Sequence, residues 1–442
     1  MKVTDAVLQF LRAEGIDTVF SLMSEELIEL TATAAEEWSD ELRFVQARHE
    51  QNAVAMADGY ARTTGDIGVA IVGRGPAIAQ TATALGTAQK AGTPLLVVVP
   101  EPSRDSLFDP MNKGFRQQSF LESVLDTVFT VRDESALVET VAETFRLLHG
   151  GRGPVAVQVP WDVLNGEAPH ADDWESSTIG SARPDRSTAR LEPDAAAIRR
   201  AADRYEASEK SAPPVVIAGA GAVAADARDA IEAFAERTNA MLATTLRAQG
   251  YFADHPFSVG FVGGFGRPWG NEFVRESDYV LAVGCSLNDH TTDHGRLLAD
   301  TTVVQVDVDP THVGRHAQAD LSVVGDATAT VAALDAELAS RDVDVGRRFW
   351  TDDVERRLAD PGPIDDRPRS NLPDRMDPRD LMDALDRLLP EERLVVSDSG
   401  HFGCWVLDGI TITDPADYVW PMEFGTLGLA QPIGIGTAFA YK

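Results

Sequence analysis

The sequence predicts an α/β protein made of successive doubly wound parallel-sheet domains, and three observations lead there. Short runs rich in β-branched residues recur along the chain. Most are apolar at nearly every position rather than at alternate ones, which marks strands covered on both faces. Stretches of helical pattern separate them, the arrangement that connects parallel strands.

In chain order the strands are expected in GVAIVG at 68–73, PLLVVVP at 94–100, PVAVQVP at 154–160, PVVIAGAG at 214–221, YVLAVG at 279–284, TVVQVDVDP at 302–310 and RLVVSDSG at 393–400. Two stretches break the alternation, 165–195 and 340–376, both polar and rich in Pro, Asp and Arg, and they read as linkers. The expected domains are therefore 1–165, 195–340 and 376–442. With domains of about 100 to 200 residues as the norm, the third is too short to be doubly wound within this chain.

Seventy acidic and 39 basic residues give a formal charge of −31, and lysine occurs only at Lys2, Lys90, Lys113, Lys210 and Lys442. The acid is spread along the chain rather than gathered in blocks, so it reads as adaptation to a salty cytoplasm, as in a halophile, and not as a face for a basic partner. No basic stripe is available to neutralise phosphates, which argues against nucleic acid. Cys285 and Cys404 are too few for a disulfide scaffold or a cysteine-rich zinc site. The amphipathic, acid-containing start MKVTDAVLQFLRAEG is no signal peptide, and no apolar run reaches about 18 residues. A soluble, cytoplasmic protein without membrane partners is expected.

Residues 47–65, ARHEQNAVAMADGYARTTG, place Glu50 at the head of a helix whose following residues include Ala53, Ala55, Ala57, Gly59 and Ala61. Such small side chains bury little area themselves and let another backbone come close, so something else must occupy that face.

Together with GRGPAIAQTATALGTAQKAGTPLLVVV and GRGPVAVQVPWDV, this stretch resembles the first domain of the thiamine-diphosphate-dependent enzymes of the acetolactate synthase and benzoylformate decarboxylase type. PPVVIAGAGA, SDYVLAVGCSL, VVQVDVDPTHVG and VVGDATATVAAL follow the order of that family's middle domain, and VVSDSGHFGCW and FGTLGLAQPIGIGTAFA resemble the opening of its diphosphate-binding domain. The resemblance covers nearly the whole chain. It implies decarboxylation of a small 2-oxo acid, carboligation to a second carbonyl, or both, in a homo-oligomer whose active site lies between two chains.

The resemblance also assigns residues. Glu50 matches the catalytic glutamate set against N1′ of the cofactor's aminopyrimidine, where a carboxyl removed from water shares a proton more readily. The turn at 73–80 lies where the family holds the pyrimidine end: Gly73, Gly75 and Pro76 are candidate contacts, and Gln80 replaces an asparagine it can imitate. Gly425 matches the glycine whose carbonyl accepts from the 4′-amino group, and Leu427 the apolar wedge that bends the cofactor. Gly400 and His401 stand on the diphosphate side. The family's F-G-x-P-G loop is here Phe20, Ser21, Leu22, Met23 and Ser24, and Glu101 replaces the acetolactate synthase glutamine. Ser21, Met23, Gln117 and Gln118 are candidates for the substrate pocket.

Magnesium in the family is held by Gly-Asp-Gly and an Asn roughly 25 to 30 residues later, the hard oxygen ligands it prefers. Those ligands are expected beyond Lys442, and no metal ligand is assigned within this chain. The rival reading is a non-catalytic or partner-dependent subunit. In GAGAVAADA, Gly219 and Gly221 follow a strand and are candidates for cradling FAD or another nucleotide diphosphate. His290 and His294 have the spacing of a helical zinc pair but no third ligand nearby, and a polar loop is the expectation.

Overall fold

The computed structural model describes residues 1–106, 112–168, 190–360, 362–364, 367–370 and 373–441. Most of the stretch at 165–195 therefore lies outside the described residues. The chain forms two compact units. One comprises Met1–Arg186, Val396–Gly400 and Trp420–Lys442, and the other Ser187–Val395 and His401–Val419.

The first unit carries a six-stranded sheet of β1 (Thr18–Ser21), β2 (Arg43–Gln46), β3 (Gly68–Ile71), β4 (Leu95–Glu101), β5 (Thr127–Thr130) and β6 (Val155–Pro160). The spatial order is β2-β1-β3-β4-β6-β5 and every pairing is parallel. β3 is buried throughout and β4 along all but its last residue, as continuous apolar runs require. The second unit repeats the plan with β7 (Val215–Ala218), β8 (Met241–Thr244), β9 (Ser258–Phe261), β10 (Tyr279–Val283), β11 (Thr302–Asp307) and β12 (Leu321–Val324), ordered β12-β11-β10-β7-β8-β9 and again parallel. The α/β class read from the sequence is the class observed.

In an open parallel sheet, ligands bind outside the carboxyl ends of the strands where the winding reverses. In the first unit that point lies between β1 and β3, because the chain runs outward from β1 to β2 and then starts β3 on the other side. In the second it lies between β7 and β10.

The small face of the helix Glu50–Thr64 is filled from within the chain. The helix Ala430–Ala440 crosses it so closely that a methyl group on Gly59 would lie 2.2 Å from the Ile433 carbonyl oxygen, and one on Gly436 would lie 1.9 Å from that of Met56. Thr63 and Thr437 join hydroxyls at 3.1 Å across the crossing. The backbone that the small side chains of this helix admit is thus supplied by the Ala430–Ala440 helix of the same chain.

Part of the stretch read as a linker at 340–376 is packed. Asp352–Ala359 is a helix, Leu358 is buried, and Trp350 stacks on Phe257 with ring centroids 4.4 Å apart. Two apolar residues among many charges are enough to anchor it.

Candidate cofactor and substrate site

Three loops meet at the β1–β3 switch point: 21–27 after β1, 47–50 after β2 and 72–80 after β3. Glu50 is the first residue of its helix. His49 caps it, with Nδ1 accepting from the Gln51 N–H at 3.2 Å, while His49 Nε2 lies 2.7 Å from Gln80 Oε1. His49 therefore ties the 72–80 turn to the Glu50 helix. The Glu50 carboxylate is partly buried, sits in the favourable field of a helix N-terminus, and makes no hydrogen bond or ion pair among the described residues.

The turn is shaped by its glycines. A methyl group on Gly73 would lie 2.8 Å from Ser24 Cβ, and Gly75 has a φ of +66° with the Lys113 carbonyl oxygen 2.5 Å from where a methyl would stand. Pro76 is exposed and opens a single helical turn, Pro76–Ala79, where its fixed φ and missing N–H cost nothing.

The substrate-pocket candidates separate. Gln117 is buried and fully engaged: its Oε1 accepts from the Gly75 N–H at 3.1 Å, and its Nε2 donates to the Pro100 carbonyl and to Gln158 Oε1, each at 3.0 Å. It braces the turn. Gln118 accepts from Thr130 and Gln158 and donates to Glu122 on the same helix. Both amides thus brace the turn and the strands beside it. Ser21 is fully buried and its hydroxyl has no partner among the described residues, and Met23 is 57% exposed at the loop tip. Burial pushes the Glu101 carboxyl at the end of β4 above the usual carboxylate range.

Residues 396–400 and 420–442 complete the unit. Asp398 closes the loop before the helix Ala430–Ala440: its Oδ2 accepts from the Gly428 N–H at 2.6 Å, and its carbonyl accepts from Trp420 Nε1 at 2.9 Å. Gly425 takes a φ of +68°, Gly400 one of +121°, and Leu427 is 65% exposed. Phe424 lies over Gly86, at 3.0 Å from where a methyl would be. Beneath them Arg62 bridges Asp58 at 2.9 Å and Glu423 at 2.8 Å. The Glu50 helix and the Gly425–Leu427 loop are thereby fixed to each other.

His401 is exposed and belongs to the second unit, as do Gly219 and Gly221. The two glycines fit against β10's exit. Their N–H groups donate to the Val283 and Gly284 carbonyls at 2.9 Å, and a methyl on Gly219 would lie 2.4 Å from Cys285 Cβ. The N–H groups that would cradle a diphosphate already have partners, so close packing explains both glycines. His290 and His294 do not share a helical face, because the helix ends at Thr292 and both Asp293 and His294 have positive φ. Among the described residues no group of three or more His, Cys, Asp or Glu is placed to hold a metal ion.

The sequence reading passed over Glu26, Arg74 and Lys113. Glu26 is 5% exposed; its Oε1 accepts from Arg74 Nε at 2.9 Å and from Lys113 Nζ at 2.7 Å, and its Oε2 from Ser24 Oγ at 2.9 Å. Burial opposes the charge, but the hydrogen bonds from Lys113, its own backbone and Ser24 outweigh it and hold the carboxyl below its ordinary range. An arginine inside a glycine turn and one of five lysines nearby were the available signals.

No helix among the described residues is long and apolar enough to cross a membrane. Residues 1–128 match the N-terminal TPP-binding domain of thiamine pyrophosphate enzymes, and residues 198–334 match their central domain. A probable acetolactate synthase large subunit of Methanocaldococcus jannaschii is 26% identical over all of this chain and 74% of its own length. An acetolactate synthase large subunit of Parasynechococcus marenigrum is 27% identical over 98% of the chain and 69% of its length. A probable 2-ketoarginine decarboxylase of Pseudomonas aeruginosa is 29% identical over 98% and 73%. With both domain models matching in family order, one on each parallel sheet, the chain belongs to the thiamine pyrophosphate enzymes.

Proposed function

We propose that the protein is a thiamine-diphosphate-dependent enzyme that decarboxylates a 2-oxo acid, joins the resulting fragment to a second carbonyl, or both, in the manner of acetolactate synthase. The observation that carries this reading is the Glu50 carboxylate, which stands at a helix N-terminus with no hydrogen-bond or ion-pair partner among the described residues. The residues present fit the aminopyrimidine end of the cofactor. Glu50 would hold a proton against the ring nitrogen, the turn at Gly73, Gly75 and Pro76 would receive the ring, and Gly425 and Leu427 would contact it from the other side. Bound thiamine diphosphate supplies the electron sink that lets a carboxylate leave.

The chain's own residues then do three things. Glu50 moves a proton to and from the ring nitrogen. His49 and Gln80 hold the turn at a fixed distance from the Glu50 helix. Leu427 and Phe424 exclude water from the reacting face.

Magnesium on the diphosphate, a homo-oligomeric assembly and a cytoplasmic, salt-adapted setting belong to the same proposal. The relatives named as large subunits support assembly, and the spread of acidic residues supports salt adaptation. A flavin is left out, since Gly219 and Gly221 are accounted for by packing. The test is turnover of pyruvate and longer 2-oxo acids by the full protein, followed as carbon dioxide release with and without thiamine diphosphate and Mg²⁺. Release only with the cofactor is expected, and absence of release across the series would refute the reading.

A further inference from the structure

Arg74 stands in the turn after β3 and Glu26 in the loop after β1, so their ion pair spans the switch point itself. Only Nε of Arg74 is bonded. Its two terminal nitrogens have no partner among the described residues and are not sealed from solvent, although the side chain is just 12% exposed. Lys113 reaches the same Glu26 oxygen, is 23% exposed, and has one further acid nearby, Glu25 at 3.5 Å, itself 73% exposed. Two cations thus share one buried carboxylate, with the exposed Glu25 as a second acid beside Lys113 only, and the outer edge of Arg74 stays unbonded among the described residues. A guanidinium oriented through Nε and open at its outer edge is the geometry that grips a carboxylate with two parallel hydrogen bonds.

We propose that Arg74 and Lys113, held on Glu26 at the β1–β3 switch point, form the anion corner that takes the carboxylate of the oxo-acid substrate. The inference rests on the function proposed above and names the part of the site that recognises substrate. Glu26 acts as a positioning residue: it aims both cations. Met23, at the tip of the same loop, offers an apolar surface to the substrate's other end.

Calorimetric titration of the full protein with pyruvate, with pyruvamide and with thiamine diphosphate tests this in wild type, Arg74→Gln and Lys113→Gln. Pyruvamide has the same shape without the charge. Arg74→Gln is expected to bind pyruvate at least about tenfold more weakly, with pyruvamide and thiamine diphosphate affinities within about twofold of wild type. If Arg74→Gln fails to fold by circular dichroism, the more exposed Lys113→Gln carries the test, with about a threefold loss for pyruvate alone. Unchanged pyruvate affinity, an equal loss for pyruvamide, or no pyruvate binding by wild type would overturn the proposal. Loss of pyruvate affinity in a protein that does not bind thiamine diphosphate would uphold the anion corner and overturn the cofactor reading.

Discussion

Glu26 is the residue on which the loop beside the site depends, because it accepts from three side chains while almost wholly buried. Its carboxyl is held below the ordinary glutamate value of about 4.3, so the sign of its pH effect follows. The stabilisation is complete above the unfolded value and is lost as pH falls through the lower folded one. Glu26→Gln should lower stability by about 2 kcal/mol at pH 7, and the gap to wild type should close as the pH is taken below about 4, as read by urea denaturation across pH. Glu50 stands out in the sequence as a charged residue heading a helix of small side chains, and its catalytic assignment comes from the family resemblance of the stretch around it. The contacts of Gln117 and Gln118 were not legible, because an amide's partners depend on strands β4, β5 and β6 meeting around it, which no local pattern encodes.

Two helices far apart in sequence, Glu50–Thr64 and Ala430–Ala440, owe their close crossing to Gly59 and Gly436, and an ion network secures the loop that leads into the second. Asp58 accepts from Arg62 and, at 2.6 Å, from the Thr93 hydroxyl, and Arg62 in turn reaches Glu423. Arg62→Met would leave two buried carboxylates without their cation, and a loss of about 3–5 kcal/mol is expected; chemical denaturation of the variant against wild type measures it. Removing Glu423 as well should restore part of that loss. The long strands β4 and β6 were readable as largely apolar runs, broken only by Gln158 and by Glu101 at the end of β4. Short ones such as β2, Arg43–Gln46, were not, since an edge strand with exposed ends carries two charged or polar residues in four. The helix Asp352–Ala359 was hidden by its charge, five of its eight residues being Asp, Glu or Arg.

At the scale of the whole molecule, 70 acidic residues against 39 basic ones repel one another at low ionic strength. Raising potassium chloride from 0.1 M towards 2 M should therefore raise the melting temperature, with each kcal/mol regained worth about 3 °C for a unit of roughly 200 residues. A flat or falling profile in scanning calorimetry would remove salt adaptation from the account. The doubly wound plan of both units was legible because strand and helix patterns alternate so regularly. The contacts at the two switch points were not. Gly219 and Gly221 close the second unit's switch point against Gly284, whereas side chains join the loops at the first unit's, where among the described residues Glu50 and the terminal nitrogens of Arg74 have no hydrogen-bond partner.

The most direct measurement of the central claim is turnover of the full protein with pyruvate and thiamine diphosphate, comparing wild type with Glu50→Gln. Cofactor binding is followed in parallel by tryptophan fluorescence. Glu50→Gln should bind the cofactor and lose about 10²- to 10⁴-fold in turnover, the range for removing a positioned proton-transfer group. Equal turnover in the two proteins would contradict the account.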